Sequence, residues 1–151
     1  MAFAITLHLL SAVIWVGGMF FAYMALRPVA AELLEPPLRL TLWRQVFARF
    51  FVWVTIAVVL LLGTGLWMIF AVYGGMGNTR PHIHVMLLLG VIMMAIYGHL
   101  YFAPYGRLCR AVDAENWPEA GKQLNSIRKL VAVNLSLGLL VVAVAAAGRF
   151  L

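Results

Sequence analysis

Four histidines, His8, His82, His84 and His99, lie within or at the edge of long apolar runs. An ionisable side chain in hydrocarbon is costly enough to mark a candidate functional residue. His8 belongs to the first run and the other three to the third; successive spans alternate in direction, so the first and third cross the same way and residue counts give comparable depths. At ~1.5 Å per residue, His8 sits roughly 7 Å below the outer boundary and His84 a few Å below it. Two neutral imidazoles from facing helices of a bundle can supply both axial ligands of a haem iron. The face of His8 continues through Ser11, Ala12, Trp15 and Met19, and that of His84 through Leu88, Val91, Ala95 and Gly98. Gly63, Thr64 and Gly65 fall at the same outer depth, and Arg80 and Arg149 are the two cations on that side, placed to meet haem propionates.

The pattern therefore predicts one haem b held by His8 and His84, with Trp15, Arg80 and Arg149 around it. Two axial imidazoles leave no open position at the iron, so electron transfer is the expected role. An enzyme built on this site would be a haem-dependent oxidoreductase. The same two histidines could instead be a hydrogen-bonded pair. His99 lies near the inner boundary, where Met19, Tyr23 or Met24 could partner it.

A second chemistry uses softer atoms. Thioethers with imidazoles suit copper(I), and Met68 and Met76 close the second apolar run while Met86 follows the histidines of the third. On a helix, positions i and i+4 converge and positions i and i+2 diverge. Copper thus needs His82 with Met86, whereas haem needs His84 with His8. A third reading, a small structural subunit of a larger respiratory or transport complex in the membrane, needs no ligand at all, whereas the electron-transfer reading calls for a redox partner. Asn134, Ser136 and Thr55 have the character of interhelical hydrogen-bonding residues.

Other chemistries are excluded. No hydrolase triad or phosphate-binding glycine loop occurs, and the apolar runs carry no Asp or Glu, which argues against proton-coupled transport. A single cysteine, Cys109, rules out a disulfide framework or a cysteine-rich metal site.

The elements that would carry these residues follow from composition. The chain has 151 residues, 65% apolar and 11% charged, with a mean hydropathy of +0.99. Soluble domains run at roughly 45–50% and about 25% respectively, so a soluble fold is excluded. Four runs are long enough to cross ~30 Å of hydrocarbon, near 3–25, 50–73, 83–105 and 128–148. The expectation is an all-α fold: one transmembrane domain over 1–151, a four-helix bundle running up-down-up-down. The first run follows only Met1 and Ala2, with no basic leader segment, and reads as a retained span.

Arg27, Arg39, Arg44, Arg49, Arg107, Arg110, Lys122, Arg128 and Lys129 lie in or beside the first and third connections. The positive-inside rule places those connections in the cytoplasm and both termini on the periplasmic side of a bacterial inner membrane. The net charge of +6 is thereby accounted for by orientation in lipid, with no nucleic-acid partner. Within the first connection, Leu40, Trp43, Phe47 and Phe50 recur at helical spacing after Pro36 and Pro37, which predicts an interfacial amphipathic helix lying on the membrane surface between spans 1 and 2. The third connection, Arg107 to Ser126, reads as a short solvated helix or turn. Glycine-bearing faces allow a homodimer.

The stretch from His8-Leu9-Leu10 through Trp15-Val16-Gly17-Gly18-Met19-Phe20 to Leu26-Arg27-Pro28 resembles the first span of the copper-resistance D (CopD) family. It is also similar to the related HemJ-type protoporphyrinogen oxidases. His84, Tyr97, His99 and Arg107 look like their third conserved span, and Arg128 with Asn134 like the start of another. The resemblance implies an inner-membrane helical protein, acting in copper uptake in the CopD case or binding haem b and oxidising protoporphyrinogen in the HemJ case. It implies His8 and His99 as matching histidines and Arg27 and Arg128 as matching basic residues. Met86 stands where the HemJ pattern has a lysine, and Leu135 where it has an acid.

Overall fold

In hydrocarbon every backbone N–H and C=O must be paired within its own segment, which leaves helix as the conformation for a lone apolar run. The computed structural model describes residues 1–150 and has four long helices: α1 (Ala2–Leu33), α2 (Pro36–Val72), α3 (Pro81–Asp113) and α4 (Trp117–Ala147). Residue 151, the last of the expected domain, lies outside the described part. Prolines open three of them, Pro36, Pro81 and Pro118, at positions where a helix has no use for the missing N–H.

The stops are local as well. After α2 the chain turns through Gly74 (φ 76°) and Gly75 (φ 118°), conformations that disfavour any Cβ, and Gly75 N–H donates to Ile69 O at 2.9 Å. Between α3 and α4 the turn spans residues 114–116, with Glu115 left-handed at φ 53°. Asn116 then caps α4, its Oδ1 accepting from Glu119 N–H at 3.4 Å. Inside α1 and α3 the helix widens to π-type turns over Ala22–Leu26 and Tyr101–Tyr105, beside Pro28 and around Pro104. A proline ring collides with the carbonyl four residues back, and the wider turn relieves that collision without breaking the rod.

α1 lies along α2 and α3 along α4, and the two hairpins close through α4 against α1 and α2. The tightest packing is at the basic end, where Leu40, Leu108, Ala120 and Ile127 are almost completely buried. Above them an aromatic column runs through Phe47, Phe51 and Tyr105, with Phe47 and Phe51 stacked at 5.1 Å and Phe51 edge-on to Tyr105 at 5.0 Å. The outward faces are apolar: Phe3 is 77% and Phe102 84% exposed within the chain, surfaces that suit lipid rather than water. The all-α, four-helix architecture expected from the hydropathy pattern is what the chain adopts.

Two connections differ from expectation. The segment predicted to lie on the membrane surface is not a separate helix. It is the first part of α2, which runs unbroken from Pro36, and Leu40, Trp43 and Phe47 are buried in the bundle core. No glycine or proline interrupts residues 38–62, so the helix has nowhere to bend, and its apolar stripe is covered by the other helices of the bundle. The third connection likewise shrinks to the turn at 114–116, because α3 continues to Asp113 and α4 begins at Trp117. With 37 residues, α2 is ~55 Å long, well beyond ~30 Å of hydrocarbon, so the basic end extends past the span as packed helix. There Arg44 on α2 pairs with Asp113 on α3 at 3.0 Å. Ser136, expected to bond between helices, donates instead to Ala132 O of its own helix at 2.9 Å, whereas Asn134 and Thr55 do cross, to Met93 O and Tyr97 Oη.

Candidate functional site

His8 shares a face of α1 with Trp15, seven residues and therefore ~20° away on a helical projection, and that face is turned into the bundle. Its Nδ1 lies 2.8 Å from Thr64 Oγ1 on α2. The Thr64 hydroxyl proton is directed to Leu60 O, so Nδ1–H donates to Thr64 and the Nε2 lone pair is left free. Gly65 makes the approach possible: a Cβ there would sit 3.3 Å from His8 Cε1.

His84 is held differently. Its Nε2 lies 2.8 Å from Thr79 Oγ1 in the turn before α3, and Thr79 in turn donates to Met76 O at 2.8 Å. His84 is exposed, as are Leu88 and Val91 on the same side. The cause is the rotation of α3, whose buried residues are Met93, Tyr97 and Leu100 in its main stretch. At 100° per residue His84 is ~180° from Met93, on the opposite side of the helix, and His82 is only ~20° from it.

The structure thus does not bring His8 and His84 together: one ring is bonded into the α1–α2 seam, the other onto the turn preceding its own helix. Bis-histidine ligation requires both rings on one iron, and here the two rings are held on different partners, Thr64 on α2 and Thr79 in the turn before α3. The residues present do not fit the expected haem b, and no electron-transfer step follows from them. Trp15 is buried against Tyr97, with ring centroids 6.2 Å apart. Arg80 and Arg149 are both exposed, the latter with its guanidinium 5.1 Å from the Phe150 ring. His99 is exposed on the outer side of α3, away from the buried Met19 on α1.

The softer set lies toward one end of the bundle. His82 and Met86 are one turn apart on α3, both half-buried. His82 is seated directly on Gly148 at the end of α4, where any Cβ would overlap the base of its ring. Met68 is buried at the end of α2, and Met76 is 38% exposed in the turn that follows, so all four residues lie at the end remote from the basic connections. Among the described residues no group of three or more His, Cys, Asp and Glu comes together. A metal held here would draw on thioether sulfur, which suits copper(I).

Sequence reasoning placed Thr64 at the depth of His8 without giving it the role of orienting that ring, and it missed Thr79, which carries no signal beyond its place in a turn. It also missed Gly148, whose role is visible only once α3 and α4 are side by side.

The sequence model of one family, described as Copper resistance protein D, matches residues 44–147, more than half of the chain and including His82, His84, Met86 and His99. Comparison with curated proteins and with solved structures returns no match. The region matched covers most of α2 and all of the α3–α4 hairpin on which the His82–Met86 pair is seated, and the chain belongs to the CopD family, a group of multi-pass membrane proteins.

Proposed function

We propose that this chain is a copper-handling membrane protein that takes copper(I) as its substrate at the end of the bundle remote from the lysines and arginines. His82 and Met86 are the first ligands, and Met76 and Met68 supply further thioethers from the end of α2. The observation that carries the reading is the placing of His82 and Met86 one turn apart near the inward side of α3, in a chain of the copper-resistance family. An imidazole with one or two thioethers is a soft, low-coordinate donor set that discriminates against zinc and magnesium. The charge asymmetry supports a cytoplasmic basic end, with both termini and the copper-binding end facing the periplasm of a bacterial inner membrane.

The test is an anaerobic copper(I) titration of the purified full chain against a chromophoric chelator. His82→Ala and Met86→Ala should each weaken binding by about tenfold or more, about 1.4 kcal/mol. His84→Ala should leave the affinity unchanged, because that ring lies on the opposite side of α3. Equal losses for His82→Ala and His84→Ala, or no loss for either ligand variant, would refute the assignment.

A further inference from the structure

At mid-depth the bundle encloses a void of about 20 Å³ lined by Trp15, Met19, Phe51, Val54, Tyr97 and Asn134 among others. Asn134 is 2% exposed. Its Nδ2 donates to Met93 O at 3.2 Å, while its Oδ1 is buried and has no hydrogen-bond partner in the protein. The amide is planar, so anchoring Nδ2 on Met93 turns Oδ1 the other way. Buried polar atoms are nearly always satisfied, and an orphaned carbonyl oxygen beside a void calls for an occupant.

Size and chemistry narrow that occupant. A single water needs roughly 10–15 Å³ measured in this way, so about 20 Å³ is room for one, with little to spare. The orphan is an acceptor, so the occupant must donate. No carboxylate or thiolate lines the void, so a cation would be buried without compensation, and an anion would be repelled by Oδ1. An apolar occupant would leave Oδ1 unpaired. Two further polar groups are at hand. Trp15 brings an indole N–H, and Tyr97 Oη keeps a lone pair after donating toward Thr55 or Phe51 O, at 2.7 and 3.1 Å.

We infer that the void holds one water molecule, donating to Asn134 Oδ1 and held between α1, α3 and α4. This water completes the hydrogen bonding of the one asparagine that ties α4 to α3 at mid-membrane, and it makes the middle of the bundle wet.

Water-edited solid-state NMR of the isotope-labelled full chain in lipid bilayers tests this directly. Magnetisation from water should reach the Asn134 side-chain amide and the Trp15 indole quickly, and should reach the neighbouring buried Leu135 side chain slowly. In Asn134→Leu the transfer to Trp15 should disappear. Transfer to Asn134 no faster than to Leu135 in the unaltered chain would overturn the inference, as would transfer to Trp15 that persists in Asn134→Leu. Adding copper(I) provides a third arm: joint shifts of the Met19 methyl and the Asn134 amide would reassign the void to a metal and overturn the water.

Discussion

Replacing Thr64 by valine isolates one hydrogen bond in the membrane interior. The two side chains have nearly the same shape, and their helix propensities are close, so neither a cavity nor a backbone effect intrudes. What disappears is the acceptor for His8 Nδ1–H at 2.8 Å, together with the hydroxyl's own bond to Leu60 O. The second loss is small, because Leu60 O belongs to the helix ladder. The first leaves an imidazole N–H without a partner in a half-buried seam. Coupling energies of side-chain pairs between membrane helices average about 0.6 kcal/mol and reach about 1.7. The geometry here, short and with one donor proton assigned, belongs to the upper half of that range, so Thr64→Val should destabilise by about 1 kcal/mol. The assay is equilibrium unfolding in mixed micelles, followed by tryptophan fluorescence, for the unaltered chain, Thr64→Val, His8→Leu and the double variant. In the His8→Leu background the cost of Thr64→Val should fall to near zero. An equal cost in both backgrounds would refute the account, because it would show that the threonine acts through its own helix and not through the imidazole.

Gly148→Leu should cost about 1–3 kcal/mol by driving α4 away from His82 and should weaken copper(I) binding at the same time, whereas Gly77→Ala, with open space around it, should do neither; unfolding and chelator titration of both variants check this. Asp113→Asn should lower stability by no more than about 1 kcal/mol, since both members of its pair with Arg44 reach solvent, and the difference should shrink when unfolding is repeated at high salt. Asn116→Ala should cost about 0.5 kcal/mol, the lower end for an N-cap, because its bond to Glu119 N–H is long at 3.4 Å. A cost above 2 kcal/mol would mean that the turn at 114–116 depends on Asn116 for more than capping.

The spans were legible because hydropathy answers a one-dimensional question: whether a run is apolar enough and long enough. The rotation of each helix is a second coordinate, and depth counts say nothing of it. Residue counts put His8 and His84 at similar heights, yet α3 turns Met93, Tyr97 and Leu100 inward, and His84 follows to the outside as a geometrical consequence. A helical projection of α3 does not contain that answer, since apolar residues surround the helix and the His84 side, with Leu88 and Val91, is as apolar as the side that is buried. The stripe of Leu40, Trp43 and Phe47 was legible as amphipathic but ambiguous in partner, because a lipid surface and a neighbouring helix select the same pattern. What decided between them was the length of α3 and α4 beyond the bilayer, which their own polar residues disguised. Gly148 acts through tertiary proximity and Thr79 through a local turn, and neither has a spacing that marks it.

The uninterrupted course of α2 from Pro36 to Trp67 has a mechanical consequence. It is a single rod, held where Leu40, Trp43, Phe47, Phe51, Val54 and Ala57 are buried and again where Met68 and Ile69 are buried at its far end. A displacement at one end of this rod is therefore passed to the other without a joint in between, and a kink introduced midway would disconnect the two ends.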